Sequence, residues 1–220
     1  MFVGHNAVGF ASKKAAPHAS LGWLMAAPML LDLLWPVFLL LGIERVRVDP
    51  KATKFSPMDF ESYPWTHSLA MSIVWGVLFA AIYFVKSRYR AGAVTIFFGV
   101  VSHWVLDFFT HRPDLPLWPP LWPNAPKVGL GLWNYPHATL IIELALFTIG
   151  FFIYRDMTEP VDRIGSIAMW LLGLVLIGTY VGTAGVTPPA DTKKLAYGAL
   201  TMVIVPIWAA WIDRHRAVRV

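Results

Sequence analysis

Six apolar runs divide the 220-residue chain, at 21–42, 68–85, 91–110, 138–154, 166–183 and 195–212. Each is near the ~20 residues that a helix needs to cross a hydrocarbon core of ~30 Å. Short polar connectors separate them. The pattern predicts an all-α fold: a polytopic membrane helical bundle of about six transmembrane helices, forming a single integral membrane domain over residues 1–220. The first run starts late, is long, and carries Asp32 at its centre. It therefore reads as a retained span and not as a cleaved signal sequence. Ahead of it, "FVGHNAVGFASKKAAPHAS" can form a short helix over about 2–16. Such a helix would reach ~20 Å into the bilayer and return at Pro17 as a re-entrant element.

Composition agrees with the membrane reading: 57% of residues are hydrophobic and 14% charged, and the mean hydropathy is +0.57. The absence of cysteine excludes disulfides and thiolate metal sites, so any metal must be held by His, Asp, Glu or water. The net charge of +5 arises in short loops and not on one folded face. That favours membrane lipids with anionic headgroups as partners, and argues against nucleic acid. If the runs alternate, 1–20, 86–90, 155–165 and 213–220 share one side (side A) with ten Lys or Arg, against eight on side B. The positive-inside rule then puts side A and both termini in the cytoplasm.

The side B segment "RPDLPLWPPLWPNAPKVGLGLW" holds six prolines and three tryptophans. It cannot be helical, and it reads as an interfacial lid with Trp118, Trp122 and Trp133 in the aromatic belt. A stiff connector with belt tryptophans is the plainer alternative.

Charged residues inside a span cost roughly 2.5–3.5 kcal/mol at the centre, so they usually face the bundle interior and mark function. Asp32, His103, Asp107 and Glu143 all need such an explanation. In "SHWVLDFFTHRPD", His103 and Asp107 are four apart, on one helix face about 6 Å from each other, and can close on one ion. His111 lies another turn on, about 12 Å from His103 and rotated by about 80°, which suits a second ion or a supporting role. Asp32 lies about 16 Å and His103 about 18 Å from the side A ends of their helices. His67 and Glu143 enter from side B, so four helices bring polar groups to one level. Asp32 is flanked by Pro28 and Pro36 in "APMLLDLLWP", where freed carbonyls favour a polar cavity. Each residue has a structural alternative: a His103–Asp107 pair that locks two helices, His67 as helix-start chemistry beside Thr66 and Ser68, Glu143 as an interfacial carboxylate. His18 reads as interfacial, His137 as starting the fourth span, where it caps it or lines the lid, and His215 as part of a solvated basic tail in "DRHRAVRV".

Taken together, "GHNAVG", "PMLLDLLWP", "THS" and "SHWVLDFFTHRPDLPL" resemble the inner-membrane metal-dependent hydrolases of the YdjM and YbcI type, which are distantly similar to zinc phospholipase C. The resemblance covers roughly residues 1–155, where the polar site is mainly built. It implies a bacterial inner-membrane location, a divalent metal cofactor with zinc first, and His5, Asp32, His67, His103 and Asp107 as metal-binding residues. "GLGLWN" followed by Glu143 looks like a subfamily feature, so Glu143 joins as ligand or general base. The chain departs from relatives that carry a second acid shortly after the first, since "LLDLLWP" offers only Asp32.

Two mechanisms fit these residues. In one, a metal-activated water attacks an ester or phosphoester of a lipid or small-molecule substrate, with Glu143 managing the proton, His111 assisting the leaving group and Arg112 binding phosphate. In the other, the Asp, His and Glu side chains form an ion or proton pathway in a small transporter. A membrane scaffold whose polar groups merely specify packing is the third.

Overall fold

A computed structural model of the chain describes residues 1–119 and 125–219. Helix α1 (Val3–Ala11) is followed by α2 (Leu21–Leu40), a hairpin of β1 (Arg45–Val48) and β2 (Met58–Ser62), and the single turn α3 (Pro64–His67). Then come α4 (Leu69–Ser87), α5 (Arg90–Thr110), the short pair β3 (Leu115–Pro116) and β4 (Lys127–Val128), and α6 (Pro136–Met157). The chain closes with β5 (Thr158–Pro160), α7 (Arg163–Thr183), α8 (Thr192–Leu200), α9 (Ile204–Asp213) and β6 (Arg216–Val218). Among the described residues, six helical segments are long and apolar enough to cross a membrane: α2, α4, α5, α6, α7, and α8 with α9 as one span over Thr192–Asp213. The last is interrupted by a 3-10 turn at Thr201–Val203, just before Pro206. Proline has no N–H to give the α-helical ladder and crowds the preceding turn, which tightens there.

The outward faces explain why these helices need lipid. Val77, Leu78, Ile82 and Val85 on α4, and Ile167 and Leu174 on α7, are exposed large apolar side chains. Contiguous apolar surface on this scale is incompatible with water and is what a bilayer covers. Helix ends carry local signals. Ser20 caps α2 by accepting from the Gly22 amide, and Asp162 caps α7 by accepting from the Gly165 amide.

Helix α1 does not cross. It lies inside the bundle against α6, α2 and α5, with Val3, His5, Asn6 and Phe10 at most 1% exposed. The expected 2–16 helix is shorter, ending at Ala11 in successive turns to Ala15. The reason lies in Lys13: its ammonium turns inward onto Asp213 (2.8 Å) and the Ala19 carbonyl (2.9 Å), folding the chain back before another helical turn can form. The Gly150 position lets α1 approach α6 closely, because a Cβ there would strike the Ala7 carbonyl.

The loops sort into two ends as alternation requires. At the side A end Lys13 meets Asp213, and β5 pairs with β6. The tail is solvated only in part: Arg216 bonds the Thr158 and Gly165 carbonyls and His215 bonds Asp162 (2.7 Å), whereas Arg214 and Arg219 are exposed. At the side B end, Phe55 donates to the Trp133 carbonyl and Gly185 donates to the Phe55 carbonyl.

Candidate metal centre

The break between α3 and α4 sets the first ligand. Ser68 is extended (φ −77°, ψ 151°) and caps α4 by accepting from the Met71 amide, so His67 ends one helix and points inward before the next begins. Its Nε2 lies 3.4 Å from Asp32 Oδ1. Asp32 sits mid-way along α2, where Pro36 deprives the Asp32 carbonyl of its helical donor, as the two prolines had suggested.

On α5, His103 and Asp107 lie one turn apart with His103 Nε2 3.1 Å from Asp107 Oδ2 and 3.8 Å from Asp32 Oδ1. From α1, the His5 ring stacks on His103 with centroids 3.8 Å apart, and its Nε2 reaches Asp107 Oδ1 at 3.2 Å. The Met1 amine lies on the same oxygen at 2.5 Å. Two overlapping groups result, His5–His103–Asp107 and Asp32–His67–His103, each with ligand atoms within 4.8 Å of one another. All five residues that the family resemblance named are thus brought into one place.

Two of the imidazoles are also anchored through Nδ1, which sets the tautomer of the neutral ring. A carbonyl only accepts, so the 2.7 Å contact to the Pro28 carbonyl puts a proton on Nδ1 of His103, and in the neutral ring Nε2 then carries the lone pair. That Nε2 is fully buried and has no hydrogen-bond partner among the described residues. For His67, the Thr66 hydroxyl donates to Glu44 Oε2 (2.7 Å) and so accepts from Nδ1 (2.7 Å), again leaving Nε2 bare toward Asp32. Imidazoles anchored at one nitrogen and bare at the other, facing carboxylate oxygens, form a donor set suited to a divalent cation, and the anchors resemble the outer partners of metal-bound histidine. Bare Nε2 atoms opposite carboxylates repel one another unless a positive charge lies between them.

His111 departs from the helical projection. It is the C-cap of α5 with extended backbone (φ −65°, ψ 146°), so its ring swings back and Nε2 comes within 3.7 Å of Asp107 Oδ2. Its Nδ1 faces Asp114 Oδ1 (3.1 Å), which also accepts from the Tyr63 hydroxyl (3.1 Å). Burial acts against the Asp114 carboxylate, but bonds from His111, Arg112 and Tyr63 outweigh it and hold its pKa below the usual range. Burial pushes the Tyr63 hydroxyl well above its ordinary value, with the Asp114 charge adding to it.

Three residues singled out in the sequence have the following surroundings. Glu143 is buried with Oε2 accepting from the Phe2 amide (2.8 Å) and the Gly4 amide (3.2 Å), so it anchors the start of α1, where the amides of a helix N-terminus lack internal partners. Its Oε1 is unpartnered among the described residues. Arg112 is paired with Asp114 (2.9 Å) and Asp59. Trp133 is buried, with its ring 4.4 Å from the His111 ring, so it walls the site and is not a belt residue. The non-helical loop reaches this depth because Gly131 donates to the His111 carbonyl. Trp118 is half-buried, and Trp122 lies outside the described residues.

Sequence reasoning missed Glu44, Tyr63 and the support role of Asp114. Glu44 is 1% exposed and accepts from the Trp65 and Thr66 amides at 2.8 Å. Burial raises its pKa despite those bonds. The available signal was a lone acid directly after a span, in "GIERV".

A bundle of six spans closed around a re-entrant helix, with histidines and carboxylates converging at its centre, defines a polytopic membrane protein with a buried polar centre. Residues 63–190 match the family model described as YdjM inner membrane protein, and the chain belongs to that family. The match includes His67, His103, Asp107, His111 and Glu143, whereas His5 and Asp32 precede it. No match was found among curated proteins or among solved structures.

Proposed function

We propose that this protein is a membrane-embedded, metal-dependent hydrolase acting on an ester or phosphoester, with a centre distantly similar to that of zinc phospholipase C. The observation that carries this reading is the pair of overlapping ligand groups sharing His103, whose Nε2 is buried and bare. His5, His103 and Asp107 would hold one ion, and Asp32 and His67 would extend the donor set toward a second. At these residues a bound divalent cation of the zinc class would supply Lewis acidity toward a substrate oxygen and water.

The chain's own residues do the rest. Asp114 and Tyr63 fix the His111 ring so that Nε2 faces the centre, where it can deliver a proton to the leaving oxygen. Glu44, through Thr66, keeps the His67 proton on Nδ1. Glu143 seats α1 and thereby His5. The apolar packing of Phe10, Met25, Ile96 and Val100, each 0% exposed, excludes water from side A. That same packing argues against an ion pathway, which needs polar groups continuing toward both faces. We also place side A, with both termini, in the cytoplasm.

The deciding experiment is elemental analysis of the purified protein beside folded His103→Ala and Asp107→Ala variants. We expect about one or two equivalents of zinc or a similar metal in the parent and little in either variant. A metal-free parent would refute the reading.

A further inference from the structure

Among the ligands, exposure is uneven in a way that bears on how a substrate arrives. His103 is 0% exposed, Asp107 2% and His67 5%, but the Asp32 side chain is 25% exposed. Asp32 is not near a helix end. It lies about 16 Å from the start of α2 and about 12 Å from its finish, inside a hydrocarbon core ~30 Å thick.

The two aqueous approaches are both covered. Over the side B end lie Tyr63 (1%), His111 (2%), Phe60 (9%) and Trp133 (9%), their rings packed together. Beneath the centre, toward side A, lie Phe10, Leu24, Met25, Ile96 and Val100, none more than 1% exposed. The route left to the open edge of Asp32 is sideways. Helix α4 packs along α5 and meets α2 mainly through aromatic pairs, Trp23 with Phe79 and Tyr83 toward side A and Phe38 with Trp75 toward side B, while α4 itself turns Val74, Val77 and Leu78 to the lipid.

We infer that the centre opens laterally into the acyl-chain layer beside α2, on its α4 flank, and that its substrate is a membrane-resident amphiphile and not a water-borne ester. The hydrolysable group of such a molecule would be drawn about 12 Å below the side B end of α2, where Asp32 is the first ligand that it meets. The assignment of a substrate class rests on the hydrolase reading, whereas the lateral opening does not.

The sequence contains no cysteine, so Asp32→Cys alone can carry a nitroxide label in the full chain. Val37→Cys, at a 40% exposed apolar position, serves as the lipid reference, and Lys54→Cys, on an exposed loop, as the water reference. In reconstituted vesicles, collision rates with oxygen, which concentrates in acyl chains, are compared with those of a water-soluble nickel chelate. The expected oxygen-to-nickel ratio at position 32 matches that at 37 and exceeds that at 54 several-fold. A ratio like that at 54 means an aqueous crevice, and low collision with both reagents means a closed centre. Either overturns the inference. If the Asp32→Cys chain does not assemble, the unaltered protein is treated with a membrane-soluble and a water-soluble carbodiimide, and modification of Asp32 is read by mass spectrometry. Preferential modification by the first supports the opening; equal modification or none counts against it. Metal content of the parent is measured separately. A metal-free parent with a lipid-exposed label would remove the hydrolase and keep the opening.

Discussion

Three imidazoles are anchored at Nδ1 by separate contacts: the Pro28 carbonyl for His103, Thr66 with Glu44 for His67, and Asp114 with Tyr63 for His111. Asp114 offers a direct check. Its folded pKa lies below the ordinary 3.8, so its contribution to stability is present above that value and disappears as pH falls through the folded pKa. Asp114→Asn should therefore cost about 2 kcal/mol near neutrality and progressively less as pH falls below 3.8, read as a difference in denaturation midpoint between the two chains across pH. A cost independent of pH would show that the charge is not what matters. Glu44→Ala should lower metal affinity by about 10–100-fold, measured by competition with a chelator, while Glu44→Gln, which keeps an oxygen for the two amides, should recover part of the loss.

Helix α1 has no long apolar stretch of its own, and nine residues form a marginal helix in isolation. Its placement depends on clamps at both ends: Glu143 on the amides of Phe2 and Gly4, and Asp213 on Lys13. Asp213 also accepts from Tyr154 (3.0 Å) and from the Leu21 amide (3.0 Å), so it ties α1, α2, α6 and α9 together. Breaking a buried pair by removing one partner strands the other, at a cost of about 3–5 kcal/mol. Lys13→Ala should lower the thermal midpoint in detergent by several degrees and weaken metal retention, because His5 rides on α1. Unchanged metal retention in Lys13→Ala would show that the Glu143 clamp alone seats the helix.

Across the whole molecule, the side A and side B loops gather at opposite ends. The Lys13–Asp213 pair and the β5–β6 sheet occupy one end, and the β1–β2 hairpin with the Trp133 wall occupies the other. With side A in the cytoplasm, a fluorescent protein fused after residue 220 should fold and fluoresce, and a phosphatase that is active only outside should stay inactive there. The reverse outcome would invert the orientation and turn the roofed end toward the cytoplasm.

The six spans were legible because each is a local property: an unbroken apolar run of sufficient length must satisfy its backbone internally, whatever it packs against. The i, i+4 spacing of His103 and Asp107 was legible for the same reason. His5, Asp32 and His67 were suggested by depth and by family resemblance, but only tertiary packing sets their nitrogens and oxygens within 4.8 Å in groups around His103. Spacing does not show how His111 is aimed, since a single extended residue at the end of α5 sets the direction of its ring. Nor does it show that Glu143 accepts from amides 139 to 141 residues away or that Arg112 pairs with Asp59, 53 residues away, as well as with nearby Asp114. A sequence declares how far a segment reaches into the membrane, because length and hydropathy are carried by each segment alone. Which polar atoms meet there depends on helix rotation and on contacts between distant segments, and only the folded chain decides that.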